Sequence, residues 1–185
     1  MQRFYAKLIV CLGLLSMLSI AQAEVFLTIE QARQELFAKT PMHKVDVTLS
    51  EAQVKAIKKA STVRVLTPKL NVWKTDNNEW FLVDQVIGKH EMIDMAVGID
   101  SSGKIIGLRV LRYVESYGGE VRYIKWLDQF NGRDSSEKLL LDKQIDNISG
   151  ATLSSRHITD GVNRWAHTWN EVLRHLQGFD NAPSN

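Results

Sequence analysis

Toward the C-terminus the apolar residues Ile158, Val162, Trp165, Trp169, Val172, Leu173 and Leu176 recur at intervals of 4, 3, 4, 3, 1 and 3. That rhythm marks one face of a helix, and Ser154 or Ser155 stands ahead of it as the N-cap candidate. Two earlier helix starts carry capping-box spacing, Thr28-Ile29-Glu30-Gln31 and Ser50-Glu51-Ala52-Gln53; they predict helices to about Lys39 and Ala60. Strand-like runs follow at Thr62–Leu66, Asn71–Lys74, Glu79–Ile87, Ile93–Ile99 and Ile105–Tyr113. The turns between them, Thr75-Asp76-Asn77-Asn78 and Ser101-Ser102-Gly103, are too tight for parallel crossovers and favour antiparallel pairing. A short helix over Val121–Phe130 and a candidate strand over Leu139–Gln144 complete the reading. The expected fold class is α+β: a single domain with a curved antiparallel sheet and packed helices.

The segment just ahead of the last helix carries the most specific chemistry. Asp146-Asn147-Ile148-Ser149-Gly150-Ala151-Thr152 reads as Asp-x-x-Ser-Gly-Ala-Thr. Gly150 reaches backbone angles closed to other residues, and Ala151 has almost no side chain, so the segment can be approached closely. The first turn of the following helix presents unpaired N–H groups and partial positive charge, a favourable place for a phosphate held on Thr152. A threonine hydroxyl is a weak nucleophile, so a phosphoester there needs activation by another enzyme. The same residues also suit an ordinary strand-to-helix turn.

At these residues the chain resembles the FMN-binding domain family whose members carry covalently attached flavin, such as the C subunit of the sodium-pumping NADH:quinone reductase and the G subunit of the Rnf complex. The resemblance implies that an ApbE-type flavin transferase recognises the segment, cleaves FAD and leaves FMN joined through its phosphate to Thr152. Asp146 would serve transferase recognition, and Ser149, Gly150 and Ala151 would form the cofactor-binding turn. A second stretch agrees: Gly88-Lys89-His90, a strand pair joined at Ser101-Ser102-Gly103, then Glu115-Ser116-Tyr117-Gly118-Gly119, where Ser116 and Tyr117 stand in place of the usual Thr-Pro. Phe130-Asn131-Gly132-Arg133 resembles the family's ending of a short helix. Glu115 and Ser116 are therefore candidate flavin contacts, although Glu115 would equally serve to cap a turn. The implied layout is a signal peptide over 1–23, an N-terminal helical segment over 24–70, an FMN-binding domain over 71–178 and a polar tail over 179–185.

The N-terminus bears on compartment. Arg3 and Lys7 precede an apolar run from Leu8 to Ile20, and Ala21-Gln22-Ala23 supplies a small-x-small cleavage pattern. Thirteen residues suit a signal peptide cleaved after Ala23, since a membrane span needs about 20; an uncleaved anchor is the alternative. The expected location is periplasmic or otherwise extracytoplasmic. Cleavage would remove Cys11, the only cysteine, together with two basic residues, leaving 21 basic against 21 acidic residues. A neutral balance gives no pointer to nucleic acid.

Other chemistry is thinner. No two of the five histidines stand four apart, which leaves no metal site in view, and His157 and His175 read as helix-surface residues. Neither a Gly-x-Ser-x-Gly elbow nor a phosphate loop is present. Trp165 and Trp169 fall on the apolar stripe and read as core. The resulting expectation is an extracytoplasmic electron-transfer flavoprotein, a carrier or redox subunit rather than a stand-alone enzyme. Its electron donor and acceptor are unidentified, and either could be membrane-bound. The alternative is a non-covalent FMN- or ligand-binding module, or an accessory of a redox complex. A hydrolase using Ser149 or Thr152 is the third reading, and the sequence supplies no convincing base for it.

Overall fold

Both capping boxes form as the spacing predicts. In the computed structural model, which describes residues 24–115 and 117–176, Thr28 caps helix α1 (Ile29–Phe37) and Ser50 caps helix α2 (Glu51–Ser61). In each, the cap hydroxyl accepts from the backbone N–H three residues on, and the glutamine there reaches back to the cap's own N–H. Orphan donors at both helix starts are thereby satisfied.

Six strands build one antiparallel sheet: β1 (Glu24–Val25), β2 (Met42–Thr48), β3 (Lys69–Thr75), β4 (Trp80–Ile87), β5 (Met92–Ile99) and β6 (Ile105–Tyr113). Their order is β1-β6-β5-β4-β3-β2. Register shifts at Asp94/Met95 and Gly98/Ile99 interrupt the β5–β6 ladder, and such irregularities bend a strand locally. Both faces of the sheet are covered. On one side Trp80, Leu82, Val86, Met95 and Val97 pack with Ile57 of α2 and with Ile158, Val162 and Trp165 of the long C-terminal helix (Thr152–Glu171). On the other side Phe81, Ala96 and Leu111 pack under Ala32 and Phe37 of α1, with the Phe37 and Phe81 rings edge to face at 6.2 Å. Successive β4 residues point to opposite faces, which is why its first half, Trp80–Val83, is apolar at every position rather than alternating.

Several local expectations are corrected. Met42–Thr48, expected within a helical segment, is the edge strand β2 and pairs with β3 along its whole length. Its charged residues Lys44 and Asp46 are exposed while Val45 and Val47 turn inward, a period-two alternation that runs from Lys44 to Leu49. Thr62–Leu66 is not a strand: Thr62 ends α2 in the left-handed region (φ 62°), and the Ser61 hydroxyl bonds back to the Ile57 carbonyl. Val121–Phe130 breaks into a 3₁₀ turn, the single-turn helix α3 (Ile124–Leu127) and a second 3₁₀ turn, because Tyr123 adopts an extended conformation. Leu139–Gln144 forms a turn, with an isolated bridge between Leu141 and Ile145. The long C-terminal helix is therefore α4. The signal peptide expected over 1–23 and the polar tail over 179–185 lie outside the described residues.

Where α4 crosses β4 the approach is close. A Cβ added to Gly161 would lie 2.6 Å from Val86 Cγ1 and 3.1 Å from the Trp165 ring. Alanine is the better helix former by about 1 kcal/mol, but overpacking a tight contact costs about 1–3 kcal/mol. Gly161→Ala is therefore expected to lower stability by about 1 kcal/mol net, read as a reduced urea midpoint at unchanged m-value; a raised midpoint would show that the helix can move away.

Candidate functional site

The long helix begins earlier than its serines indicate. Ala151 is its N-cap and Thr152 its first residue, which places Ser154 and Ser155 inside the helix, buried. Ala151 supplies no side-chain cap. The first bond of the helix runs from Ser155 N–H to the Ala151 carbonyl at 2.9 Å, so the N–H groups of Thr152, Leu153 and Ser154 have no acceptor among the described residues. Both α1 and α2 carry full capping boxes; this helix start has none.

The approach to that helix start is held firmly. Ala151 N–H bonds the Ile148 carbonyl at 2.9 Å, and Gly150 takes φ +84°. Open space surrounds the position of a Cβ at Gly150, so glycine is required there by backbone angle and not by crowding. Asp146 is pinned through its backbone: its N–H donates to Gln129 Oε1 at 2.8 Å, and its carbonyl accepts from Trp126 Nε1 at 2.8 Å. Its carboxylate belongs to an exposed residue.

Thr152 opens onto a cleft of about 510 Å³, lined also by Lys89, His90, Glu115, Tyr117 and Leu153. Sites for small ligands are concave and of this general size. Tyr117 is 84% exposed and Leu153 42%, an aromatic and an aliphatic surface on the cleft. Between these walls the 117–119 loop presses on the motif. A Cβ on Gly118, which sits at φ +85°, would lie 2.7 Å from Ala151 Cβ and 2.9 Å from the Tyr113 hydroxyl. That hydroxyl donates to the Tyr117 carbonyl at 2.6 Å and lies 3.3 Å from Ser154 Oγ. Burial, above all, pushes the Tyr113 phenol above its ordinary value.

Glu115 serves the backbone at this site. Its Oε1 accepts from His90 N–H at 2.6 Å and from Glu91 N–H at 3.2 Å. Burial acts to raise the carboxyl, but the N–H donors of His90, Glu91 and Lys89 outweigh it and hold the group below the usual glutamate range. Glu115 thus both lines the cleft and caps the β4–β5 turn. His157, expected on the helix surface, is half-buried, and its Nδ1 lies 2.6 Å from the Ile87 carbonyl at the start of that same turn.

The structure therefore brings Gly150, Ala151, Thr152 and Glu115 to one cleft. Ser149 is exposed on the turn beside it, Asp146 sits upstream on its Trp126–Gln129 anchor, and Ser116 lies outside the described residues. Lys89, His90, Tyr117 and Leu153 join the site without being candidates on sequence grounds. Leu153 follows Thr152 in the chain; for Lys89, His90 and Tyr117 only their place in the Gly-Lys-His and Glu-Ser-Tyr-Gly-Gly stretches hints at the site, since their proximity to Thr152 is created by the fold.

The negative groups of FMN fit this arrangement on two counts. A phosphate on Thr152 would adjoin helix N–H groups that have no acceptor among the described residues, and Lys89, which lines the same cleft, makes no ion pair among the described residues.

Comparison with known proteins agrees with this geometry. Residues 88–167 match the model of the FMN-binding domain family. The G subunit of the ion-translocating oxidoreductase complex of Photorhabdus laumondii is 28% identical over 101 residues, covering 49% of this chain and 48% of that protein. The G subunit of the Na(+)-translocating ferredoxin:NAD(+) oxidoreductase complex of Acetobacterium woodii is 31% identical over 80 residues, 38% of this chain and 39% of its own. This chain thus spans about half or less of the length of the curated relatives it matches. The crystal structure of Shewanella oneidensis NqrC superposes with a TM-score of 0.55 at 18% identity, over 78% of this chain and 87% of that one, a likeness of fold. Residues 88–167, which include the Thr152 cleft, are thus the part of this chain that is similar to the FMN-binding domain family.

Proposed function

We propose that this protein is an extracytoplasmic electron-transfer flavoprotein in which FMN is joined by a phosphoester to Thr152. The observation that carries the reading is the position of Thr152 as first residue of an uncapped twenty-residue helix, lining a ligand-sized cleft. The relatives named as subunits of oxidoreductase complexes support a role in electron transfer, as a carrier or a redox subunit. The Arg3-to-Ala23 pattern supports a location outside the cytoplasm.

In the modification, Thr152 Oγ attacks the FMN-side phosphorus of FAD. The pyrophosphate bond breaks, AMP leaves, and the hydroxyl proton passes to the base of an ApbE-type flavin transferase. Asp146, anchored by its backbone with its carboxylate exposed, is the residue a transferase would read. Once bound, FMN accepts one or two electrons. The chain's own residues hold and surround it: helix N–H groups on the phosphate side, Lys89 as a facing cation, and Tyr117 and Leu153 as apolar walls. A covalent tether keeps the cofactor from being lost where flavin is not resupplied.

The test is the intact mass of the denatured protein after co-production with a periplasmic flavin transferase. A gain of one FMN less one water, mapped to the peptide holding Thr152, is expected. An unmodified mass, with the transferase active on a control protein, would replace this reading with non-covalent FMN binding or an accessory role.

A further inference from the structure

The Gly88–Glu91 turn is tied down from two sides. Glu115, just beyond the end of β6, accepts from the N–H groups of His90 and Glu91. His157, on the helix that starts at Thr152, contacts the Ile87 carbonyl through Nδ1. The turn also closes on itself, Gly88 N–H bonding the Glu91 carbonyl at 2.7 Å. Gly88 leaves room for this: a Cβ there would lie 2.5 Å from Glu115 Oε1 and 2.7 Å from the Glu91 carbonyl oxygen. The turn so held supplies Lys89 and His90 to the wall of the cleft on which Thr152 opens.

We propose that Glu115 is a positioning residue and not a flavin ligand: its carboxylate latches the Gly88–Glu91 turn and so holds Lys89 as the cationic wall of the Thr152 cleft, facing the negative charge of the cofactor. The proposal rests on the flavin reading above for the cofactor's identity, while the latch itself is a property of the chain alone. Two facts separate a latch from a ligand. Oε1 is already shared by two backbone donors of the turn, which leaves only Oε2 for any contact in the cleft. Moreover, a carboxylate against an anionic reduced flavin would oppose reduction, while a held lysine favours it.

Glutamine and alanine at position 115 separate the two roles. Both substitutions remove the charge, but Glu115→Gln keeps a carbonyl oxygen where Oε1 stands, whereas Glu115→Ala removes the acceptor. In the flavin-free protein, amide exchange of residues 88–91 is expected to accelerate about tenfold or more in Glu115→Ala and to change little in Glu115→Gln. In the flavin-loaded protein, Lys89→Gln is expected to lower the reduced-to-oxidised ratio at fixed potential about tenfold, a shift of about 30 mV for a two-electron couple. Glu115→Ala should fall below Glu115→Gln in the same direction, and adding Lys89→Gln to Glu115→Ala should produce little further change.

Equal exchange in the two Glu115 variants overturns the latch. An unchanged potential in Lys89→Gln, or a potential raised equally by both Glu115 variants, overturns the cationic wall and makes Glu115 a direct neighbour of the ring. Failure of the wild-type protein to take up flavin would instead count against the Thr152 reading and with it the wall, while the exchange data still decide the latch.

Discussion

The Thr152→Val protein, co-produced with a flavin transferase, is expected to emerge with the mass of the unmodified chain. The phosphoester needs an oxygen at this position, so the effect is all or none rather than graded. Structure should survive the change. The Thr152 hydroxyl makes no hydrogen bond among the described residues, so its removal orphans no partner, and valine matches threonine in shape and approximate helix propensity. Stability is expected to stay within about 1 kcal/mol of wild type. Thr152→Ser keeps the hydroxyl and should still accept flavin. Flavin that stays attached through denaturation in Thr152→Val would move the attachment elsewhere, with Ser149 the first alternative to map. Flavin that binds the variant but is released by denaturant would show that the cleft holds FMN without a covalent bond.

The largest stability effect is expected at Asp84 on β4. Its Oδ2 accepts from Arg164 Nη2 at 2.8 Å and from Trp165 Nε1 at 2.7 Å, while the same guanidinium reaches the Gln85 carbonyl at 2.9 Å and the Arg64 carbonyl at 3.2 Å. The Arg164 side chain is 5% exposed and that of Asp84 31%. Asp84→Ala would leave a buried guanidinium without its counter-charge and an indole N–H without its acceptor. Breaking a buried pair costs about 3–5 kcal/mol; the partial exposure of Asp84 allows water to screen and substitute, so a loss of about 2–3 kcal/mol is expected. Chemical denaturation reads it as a lowered midpoint. A loss under about 1 kcal/mol would mean that Arg164 finds adequate partners in the two carbonyls alone. The site should feel this change, because the cluster docks the helix headed by Thr152 onto the strand that runs into the Lys89 turn.

These contacts also show why the parts of the molecule differ in legibility. The helix starts at Thr28 and Ser50 are readable because a capping box is closed by residues three apart. Strands β4 to β6 and the Asp100–Lys104 turn are readable for a similar local reason. Asp100 Oδ1 accepts from Ser102 N–H, the Ser102 hydroxyl and Lys104 N–H, and Gly103 at φ +93° completes the turn. Strand β2 is an edge: charge on its outer positions, Lys44 and Asp46, guards against stray pairing, and the alternation that marks it, from Lys44 to Leu49, holds only three apolar residues between two helices. The start of the last helix lies two to three residues ahead of the expected cap. Serine caps are common, whereas here Ser154 is drawn inward beside Tyr113 and no side chain caps the helix.

The attachment candidate itself lies within seven consecutive residues, so composition and spacing are enough to locate Thr152, and the family resemblance to name the chemistry. Nothing so short could reveal its surroundings. Lys89 and Thr152 are 63 positions apart in the sequence, and they share a cleft only because β4 and β5 turn back beside the helix start. Glu115 has two equal readings in the sequence; the bonds to His90 and Glu91, made across some two dozen residues, give it the turn, and the fold also places it on the cleft. Motif residues act through neighbours in the chain and can be read along it. Cleft walls, latches and buried ion pairs exist only once non-local packing brings distant groups within a few ångströms, and that distance is set by the sheet.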